Sequence, residues 1–110
     1  MGKEVILLQV DDPAKAFWFC NGFIAHDLHE LSDSLKKIDQ SSFKHHVNDR
    51  KNDIAKWVED ILNDKRLAKR LYRVKTLKTT ISKVNQRLEQ YVKLSKRKQT
   101  YLINPNQRTF

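Results

Sequence analysis

The stretch IAKWVEDIL, residues 54–62, carries the clearest helical pattern in the chain. Its apolar residues recur at i, i+3, i+4, i+7 and i+8, the spacing with which one face of an α-helix meets a core. This face consists of Ile54, Trp57, Val58, Ile61 and Leu62. We expect the helix to be capped by one of Asp49, Asn52 and Asp53. Asn63 and Asp64 then indicate a stop followed by a new cap.

Upstream, a second helical pattern begins at Asp27. Asp27 followed three residues later by Glu30 is typical of a capping box, in which the two side chains satisfy the first backbone N–H groups of a helix. Leu and Ile then recur on one face, at positions 28, 31, 35 and 38. The polar residues 39–42 are expected to end this helix, and residues 43–47 to form a short connector or helical turn.

Two segments near the N-terminus, residues 4–10 and 16–20, are rich in β-branched, aliphatic and aromatic residues. They predict two short strands that form a hairpin, with the sequence DDP between them. A two-stranded sheet is marginal alone, so we expect it to pack on the helices. Only two Gly and two Pro occur in 110 residues, which favours helices over an all-β fold.

The strongest feature of the composition is a block of positive charge at residues 65–98. It holds thirteen Lys or Arg and one acid, Glu89, for a net charge of +12, whereas residues 1–64 sum to −4. Self-repulsion of this size indicates a polyanionic partner, for which nucleic acid is the usual candidate. An acidic protein partner, or a solvated helix face, explains the same charge without nucleic acid.

Within this block, Arg66, Lys69, Arg70 and Arg73 lie on one band of a helix. Arginine has a planar fork that suits phosphate. Lys83 and Lys93 are further cations outside the apolar positions. We predict that nucleic-acid phosphates are contacted by Arg66, Lys69, Arg70, Arg73, Lys78, Arg87, Lys96, Arg97 and Lys98. Nothing resembles a base-reading motif, so binding is expected to be independent of sequence.

The same block also contains an apolar seam with steps of four and three residues, as in a coiled coil. The seam consists of Leu77, Ile81, Val84, Leu88 and Tyr91. It supports the alternative function, a protein-interaction module that forms a homodimer or joins a complex through this helix. The step between Val74 and Leu77 is irregular: either the helix breaks at residues 75–76, with Thr76 as a new cap, or one helix shifts its packing face.

Other function classes have little support in the sequence. The single cysteine, Cys20, cannot form an internal disulfide, and the four histidines lack the spacing of a zinc site. We expect no metal, no cofactor, no enzymatic activity and no small-molecule substrate. The longest apolar run is far too short to span a membrane, and a secretory signal is lacking, so we expect a cytoplasmic protein.

Residues 17–71 resemble a small uncharacterised domain family of archaea and some bacteria. The motifs that carry the resemblance are FWFxxG (17–22), AxxLxEL (25–31), FxxHV (43–47), NDxxxW (52–57) and ILxDxxLAxxL (61–71). The resemblance implies a compact unit in which an aromatic strand packs on short helices, and it implies no activity. It suggests that His46 contacts Asp53, with Trp57 packed below, and it leaves the basic block after Leu71 outside the family.

The expected fold is therefore mainly α, in the α+β class: a short two-stranded segment packed on two short helices, then a long basic helix or helical hairpin. We expect a compact domain at residues 1–74, a basic helical extension at 75–98 and a flexible tail at 99–110. The expected function is a small basic binding protein that contacts nucleic-acid phosphates through its cationic helix.

Overall fold

The computed structural model describes the backbone of residues 10–102 and the side chains of residues 10–94. Within these residues, a 3₁₀ turn at Pro13–Lys15 precedes two strands, β1 (Phe17–Trp18) and β2 (Ile24–Ala25). The helices that follow are α1 (Leu28–Leu35), α2 (Gln40–His46), α3 (Asp53–Asp60), α4 (Lys65–Leu71) and α5 (Leu77–Leu102). The expected fold class, mainly helical with a short two-stranded sheet near the N-terminus, is confirmed.

The strand pairing differs from the prediction. β1 is antiparallel to β2, with Phe17 opposite Ala25, whereas residues 4–10 had been predicted as its partner. Residues 4–9 lie outside the described residues, and Val10 donates its N–H to the carbonyl of His26 beside β2 (2.8 Å). The hairpin forms because Gly22 adopts a left-handed φ of +99°, which lets the chain reverse directly after β1.

Each helix begins at a polar side chain that accepts the N–H of the residue three positions later, at 2.8–3.1 Å. These caps are Asp27, Asp39, Asn52, Asp64 and Thr76. The caps expected at Asp27 and Asp64 are confirmed, and Asn52 is the correct member of its group of three. Glu30 reaches back as a capping box requires, although it accepts the N–H of His26 rather than that of Asp27 (2.8 Å).

Residues 43–47 were predicted to be a connector or a helical turn, and residues 43–46 belong to a helix, α2, that begins before them. Asp39 caps α2, so the polar residues expected to end α1 instead form the first turn of the next helix. Phe43 and His46 lie three positions apart in α2 and are both buried. The polar start of α2 concealed its helical pattern, because only two of its seven residues face the core.

The irregular step after Val74 is a helix break. α4 ends at Leu71, and Thr76 caps α5, so the first of the two alternatives is correct. α5 then continues through Leu102, four residues beyond the predicted end of the helical extension. The rest of the predicted tail, residues 103–110, lies outside the described residues.

One hydrophobic core joins all five helices. Leu31, Ile54, Leu67 and Val84, from α1, α3, α4 and α5, are each at most 1% exposed and belong to the same cluster. α5 packs on α1 and on α4, and Ser32 donates a hydrogen bond to the side-chain carbonyl of Asn85 (2.7 Å). The core therefore continues across position 75, where we had predicted a domain boundary.

Candidate polyanion-binding groove

Two open depressions lie between the polar faces of α4 and α5. The first, of about 470 Å³, is lined by Arg70, Arg73, Val74, Lys83 and Gln86. The second, of about 230 Å³, is lined by Arg66, Arg87, Gln90, Lys93 and Leu94. We call these two depressions together the α4–α5 groove. It forms because the chain turns back at residues 72–76, so that two basic helices pack side by side through their apolar faces.

The lining of the groove is strongly cationic. Five of its cations form no ion pair with a carboxylate among the side chains of residues 10–94; they are Arg66, Arg70, Arg73, Lys83 and Lys93. No described carboxylate lines either depression. Mutual repulsion among these cations has no internal compensation at the groove, so a bound anion would relieve it.

A buried network fixes the two walls of the groove relative to each other. Oδ2 of Asp64 accepts hydrogen bonds from Nε of Arg87 and from the hydroxyl of Tyr91, both at 2.8 Å. Its Oδ1 caps α4 through the N–H of Leu67 (3.1 Å). Arg87 also lies over the Tyr91 ring at 4.7 Å and donates to Gln90 (2.8 Å). One carboxylate thus ties the start of α4 to the middle of α5.

The electrostatics of this network favour its charged form. Burial by itself would raise the pKa of Asp64, but the hydrogen bonds from Arg87, Leu67 and Tyr91 outweigh burial and lower it. Burial and the neighbouring Asp64 carboxylate both raise the pKa of Tyr91. Burial opposes the charge of Arg87, yet Asp64 raises the pKa of its guanidinium overall. Asp64 and Arg87 therefore stay ionised together near neutral pH.

The predicted phosphate-binding residues fall into three groups. Arg66, Arg70 and Arg73 line the groove, whereas Lys69 and Lys78 are exposed outside its lining. Arg87 lines the groove too, but Asp64 already matches its charge at 2.8 Å, and its role as a phosphate contact stays a prediction. The remaining three, whose side chains lie outside the described residues, are Lys96, Arg97 and Lys98.

Four polar groove residues were missing from the predicted site. Lys83, Gln86, Gln90 and Lys93 recur at i, i+3, i+7 and i+10, which places them on one face of α5. This spacing was available in the sequence. The sequence left open whether the helix breaks at residues 75–76, and it did not show that this break turns that face of α5 toward the arginines of α4.

The apolar seam of α5 is used within the chain. Val84 is fully buried in the protein's own core, so its prediction as a contact to a second chain is corrected. The other four side chains are half-buried and pack against the same core; they are Leu77, Ile81, Leu88 and Tyr91. The coiled-coil spacing thus reflects packing on α1 and α4.

A second polar cluster surrounds His46, at the end of α2. Its Nδ1 lies 3.0 Å from Oδ2 of Asp53, and its Nε2 accepts the backbone N–H of Cys20 at 3.0 Å. Nε2 therefore carries no hydrogen, and Nδ1 donates to Asp53. Burial opposes ionisation of Asp53, but its hydrogen bonds with His46 and Lys51 lower its pKa overall.

The contacts of this cluster join α2 to β1 and α3. The His46–Asp53 contact implied by the resemblance is confirmed, and the imidazole packs edge-on against Phe17 with ring centroids 5.1 Å apart. Phe17 in turn packs against Trp57, whose indole N–H donates to the carbonyl of Lys15 (2.8 Å). Both nitrogens of His46 are occupied, which leaves neither for a metal or for proton transfer.

The described residues contain neither a metal-binding cluster nor a membrane-spanning helix. No group of three or more His, Cys, Asp or Glu side chains within residues 10–94 is arranged to hold a metal ion. Among the helices of residues 10–102, none combines the length and the apolar character that a bilayer-spanning segment needs.

Comparison with known proteins places the chain in a family. The model of the "Family of unknown function (DUF5752)" matches residues 14–110, and the protein therefore belongs to this family. The match includes the basic block after Leu71, which the sequence resemblance had left outside; α4 and α5 are thus part of the family's domain. No curated protein and no solved structure matches the chain.

Proposed function

We propose that this member of the DUF5752 family is a non-enzymatic protein that binds nucleic-acid phosphates in the α4–α5 groove without reading base sequence. The observation that carries the proposal is the convergence of five cations, from α4, α5 and the turn between them, on one groove with no described carboxylate in its lining. Arginine and lysine are the side chains with which proteins neutralise phosphate, and such contacts position nucleic acid without specifying its sequence.

The number of groove cations predicts the salt dependence. Five phosphate contacts give a slope of about −4.5 in log K against log salt for duplex DNA, and about −3.5 for a single strand. For the duplex this corresponds to a loss of about 500-fold in affinity between 50 and 200 mM salt. A cytoplasmic location, as expected from the sequence, would expose the groove to RNA as well as to DNA.

The test is a salt titration of full-length protein, freed of bound nucleic acid, against labelled mixed-sequence DNA and RNA by fluorescence anisotropy. The groove variant carries Arg70→Gln and Arg73→Gln. The matched control carries Lys36→Gln and Lys37→Gln, two exposed lysines directly after α1, and therefore has the same net charge. We expect the groove variant to flatten the duplex slope by about 1.8 and the control to change it far less.

Two results would overturn the proposal. One is the failure of the parent protein to bind either nucleic acid at 50 mM salt. The other is an equal loss of affinity in the groove variant and the control, because this would mean that net charge alone attracts the ligand and the groove has no part in it.

The alternative, a protein-interaction module, has less support. Its proposed seam packs on the protein's own core, and the exposed apolar side chains of α5 within residues 77–94 are Val92 and Leu94. Sedimentation of the parent protein at micromolar concentration distinguishes the two functions. A stable dimer that Val92→Asp dissociates would favour the alternative, and a monomer that binds nucleic acid would favour the groove.

A further inference from the structure

We infer that the α4–α5 groove holds two separate phosphate sites, and that its ligand is a stretch of phosphodiester chain several nucleotides long rather than a single phosphate group. This inference rests on the proposed function and makes it more specific. It starts from the division of the groove into two depressions, each with its own cations.

The two depressions have similar composition. The first presents Arg70, Arg73 and Lys83 beside the amide of Gln86. The second presents Arg66 and Lys93 beside the amide of Gln90, together with Arg87. Each therefore offers at least two cations without a described carboxylate partner and one neutral amide, a set that can contact neighbouring phosphates of one chain.

One cation of the lining is already matched. Arg87 lines the second depression and, of the α5 residues in that lining, is nearest in sequence to the first depression. Its guanidinium is held by Asp64 at 2.8 Å and is only 16% exposed. The unmatched positive charge of the groove is thus concentrated at two places.

The distance between the two places fits a polymer. Lys83 and Gln90 are seven residues apart on α5, and so are Gln86 and Lys93. At 1.5 Å per residue, this spacing separates the two depressions by about 10.5 Å. A stacked nucleic-acid strand advances about 3.4 Å per nucleotide along its axis, and the winding of the backbone makes the distance between its phosphates larger. Phosphates fewer than three nucleotides apart therefore already match the separation. A single phosphate group occupies only one depression.

The lining contacts the backbone of such a ligand, not its bases. Among the described residues, no aromatic side chain lines either depression, so the groove lacks the stacking platform with which single-strand binders hold bases. Two weak phosphate sites on one ligand reinforce each other, because binding at the first raises the local concentration of phosphate at the second.

The test is the length dependence of binding. Unlabelled oligothymidylates of two to eight nucleotides compete with a labelled 20-nucleotide strand for the full-length protein at 50 mM salt. We expect affinity to rise by about 100-fold between the dinucleotide and the chain that first reaches both depressions, and then to rise slowly with length.

Two single-charge variants locate the sites. Lys83→Gln changes the first depression and Lys93→Gln the second. We expect each variant to weaken the octanucleotide severalfold and to leave the dinucleotide almost unchanged, because the short ligand moves to the intact depression. Unaltered thermal unfolding of both variants shows that they are folded.

The outcomes separate this inference from the function on which it rests. If the 20-nucleotide strand does not bind at all, the proposed function fails. If it binds with the groove-dependent salt slope but dinucleotide and octanucleotide compete equally, or each added phosphate contributes the same increment with no step, only the two-site inference is overturned.

Discussion

Asp64 is the residue on which the geometry of the groove depends. Its carboxylate is 4% exposed and accepts hydrogen bonds from the backbone of α4 and from Arg87 and Tyr91 of α5. A charge this deeply buried is tolerated only when its hydrogen bonds are satisfied. Loss of the charge should therefore weaken both the fold and the alignment of the two basic helices.

We expect Asp64→Asn to lower the free energy of unfolding by about 2 kcal/mol, the usual contribution of hydrogen bonds to a charged group. Asparagine still caps α4, so the loss reports the contacts to Arg87 and Tyr91 rather than the cap. Urea unfolding followed by circular dichroism measures it. Asp33→Asn, at an exposed carboxylate of α1, is the control and should change stability by less than about 0.5 kcal/mol.

The comparison of the parent protein with Asp64→Asn also predicts how stability depends on pH. Because the folded pKa of Asp64 is lowered, its ionised form stabilises the protein above its unfolded pKa of about 3.9, and this contribution disappears as pH falls through the folded pKa. The stability difference between parent and Asp64→Asn should be constant from about pH 5 to 8 and shrink below about pH 4. A difference that grows on acidification would contradict the proposed role of Asp64.

For individual residues, the sequence predicted only contacts between positions that are close together in the chain. Caps were predictable because donor and acceptor are three residues apart, as at Asp27 and Asp64. The Asp64–Arg87 pair was not, because its partners are 23 residues apart and meet only after the chain reverses direction. A count of charges along the sequence therefore treated the Arg87 guanidinium as available to a ligand, although it forms an ion pair with Asp64.

The decisive element is the short break between α4 and α5. Thr76 accepts the N–H of Thr79 at 3.1 Å and so begins a new helix immediately after the turn. The turn brings two basic helices into contact. In a single continuous helix, the same cations would be spread along its length and would not face each other. The groove is therefore a product of the break.

We expect Thr76→Ala to lower the free energy of unfolding by about 1 kcal/mol, because the first turn of α5 loses its cap. Thr76→Asp restores an acceptor and places negative charge at the helix N-terminus, so it should match or exceed the parent in stability. Thermal unfolding compares the three proteins. Equal stability of the alanine and aspartate variants would show that the cap is unimportant.

Elements with a strong apolar period were predictable, and those without it were not. Residues 54–62 and 27–38 gave correct helices because several apolar side chains on each face the core. α2 was missed because two buried residues are too few to define a period, and β2 because two residues carry no alternation. Both depend on packing against neighbours that are distant in sequence.

The whole molecule is held by one core to which α5 contributes. Val84 is 0% exposed, whereas Val92, two turns further along the same helix, is 50% exposed. The same type of side chain is therefore buried at one position of α5 and exposed at another. Their comparison tests whether α5 belongs to the domain or merely extends from it.

We expect Val84→Ala to lower the free energy of unfolding by about 2 kcal/mol, through lost burial and the cavity that remains. Val92→Ala should change it by less than about 0.5 kcal/mol. Chemical denaturation with a helix signal and the fluorescence of the two tryptophans as probes measures both. Equal effects, or a two-step transition, would support the separate extension at residues 75–98.

Charge composition indicated a polyanionic partner, but it did not indicate a groove. That arrangement required the angle between α4 and α5, which no local pattern encodes. Of the cations predicted to lie on one helix band, Arg66 and Arg70 are on α4, whereas Arg73 is in the turn that follows it.

The position of Val84 late in the chain has a consequence for biosynthesis. During translation, the leucines of α1 emerge from the ribosome more than forty residues before Val84 of α5, the helix that packs against α1. The nascent chain therefore exposes apolar surface until most of the polypeptide has been made. Completion of the core is a late, cooperative step in folding. Chaperone capture and aggregation would compete with folding during this interval.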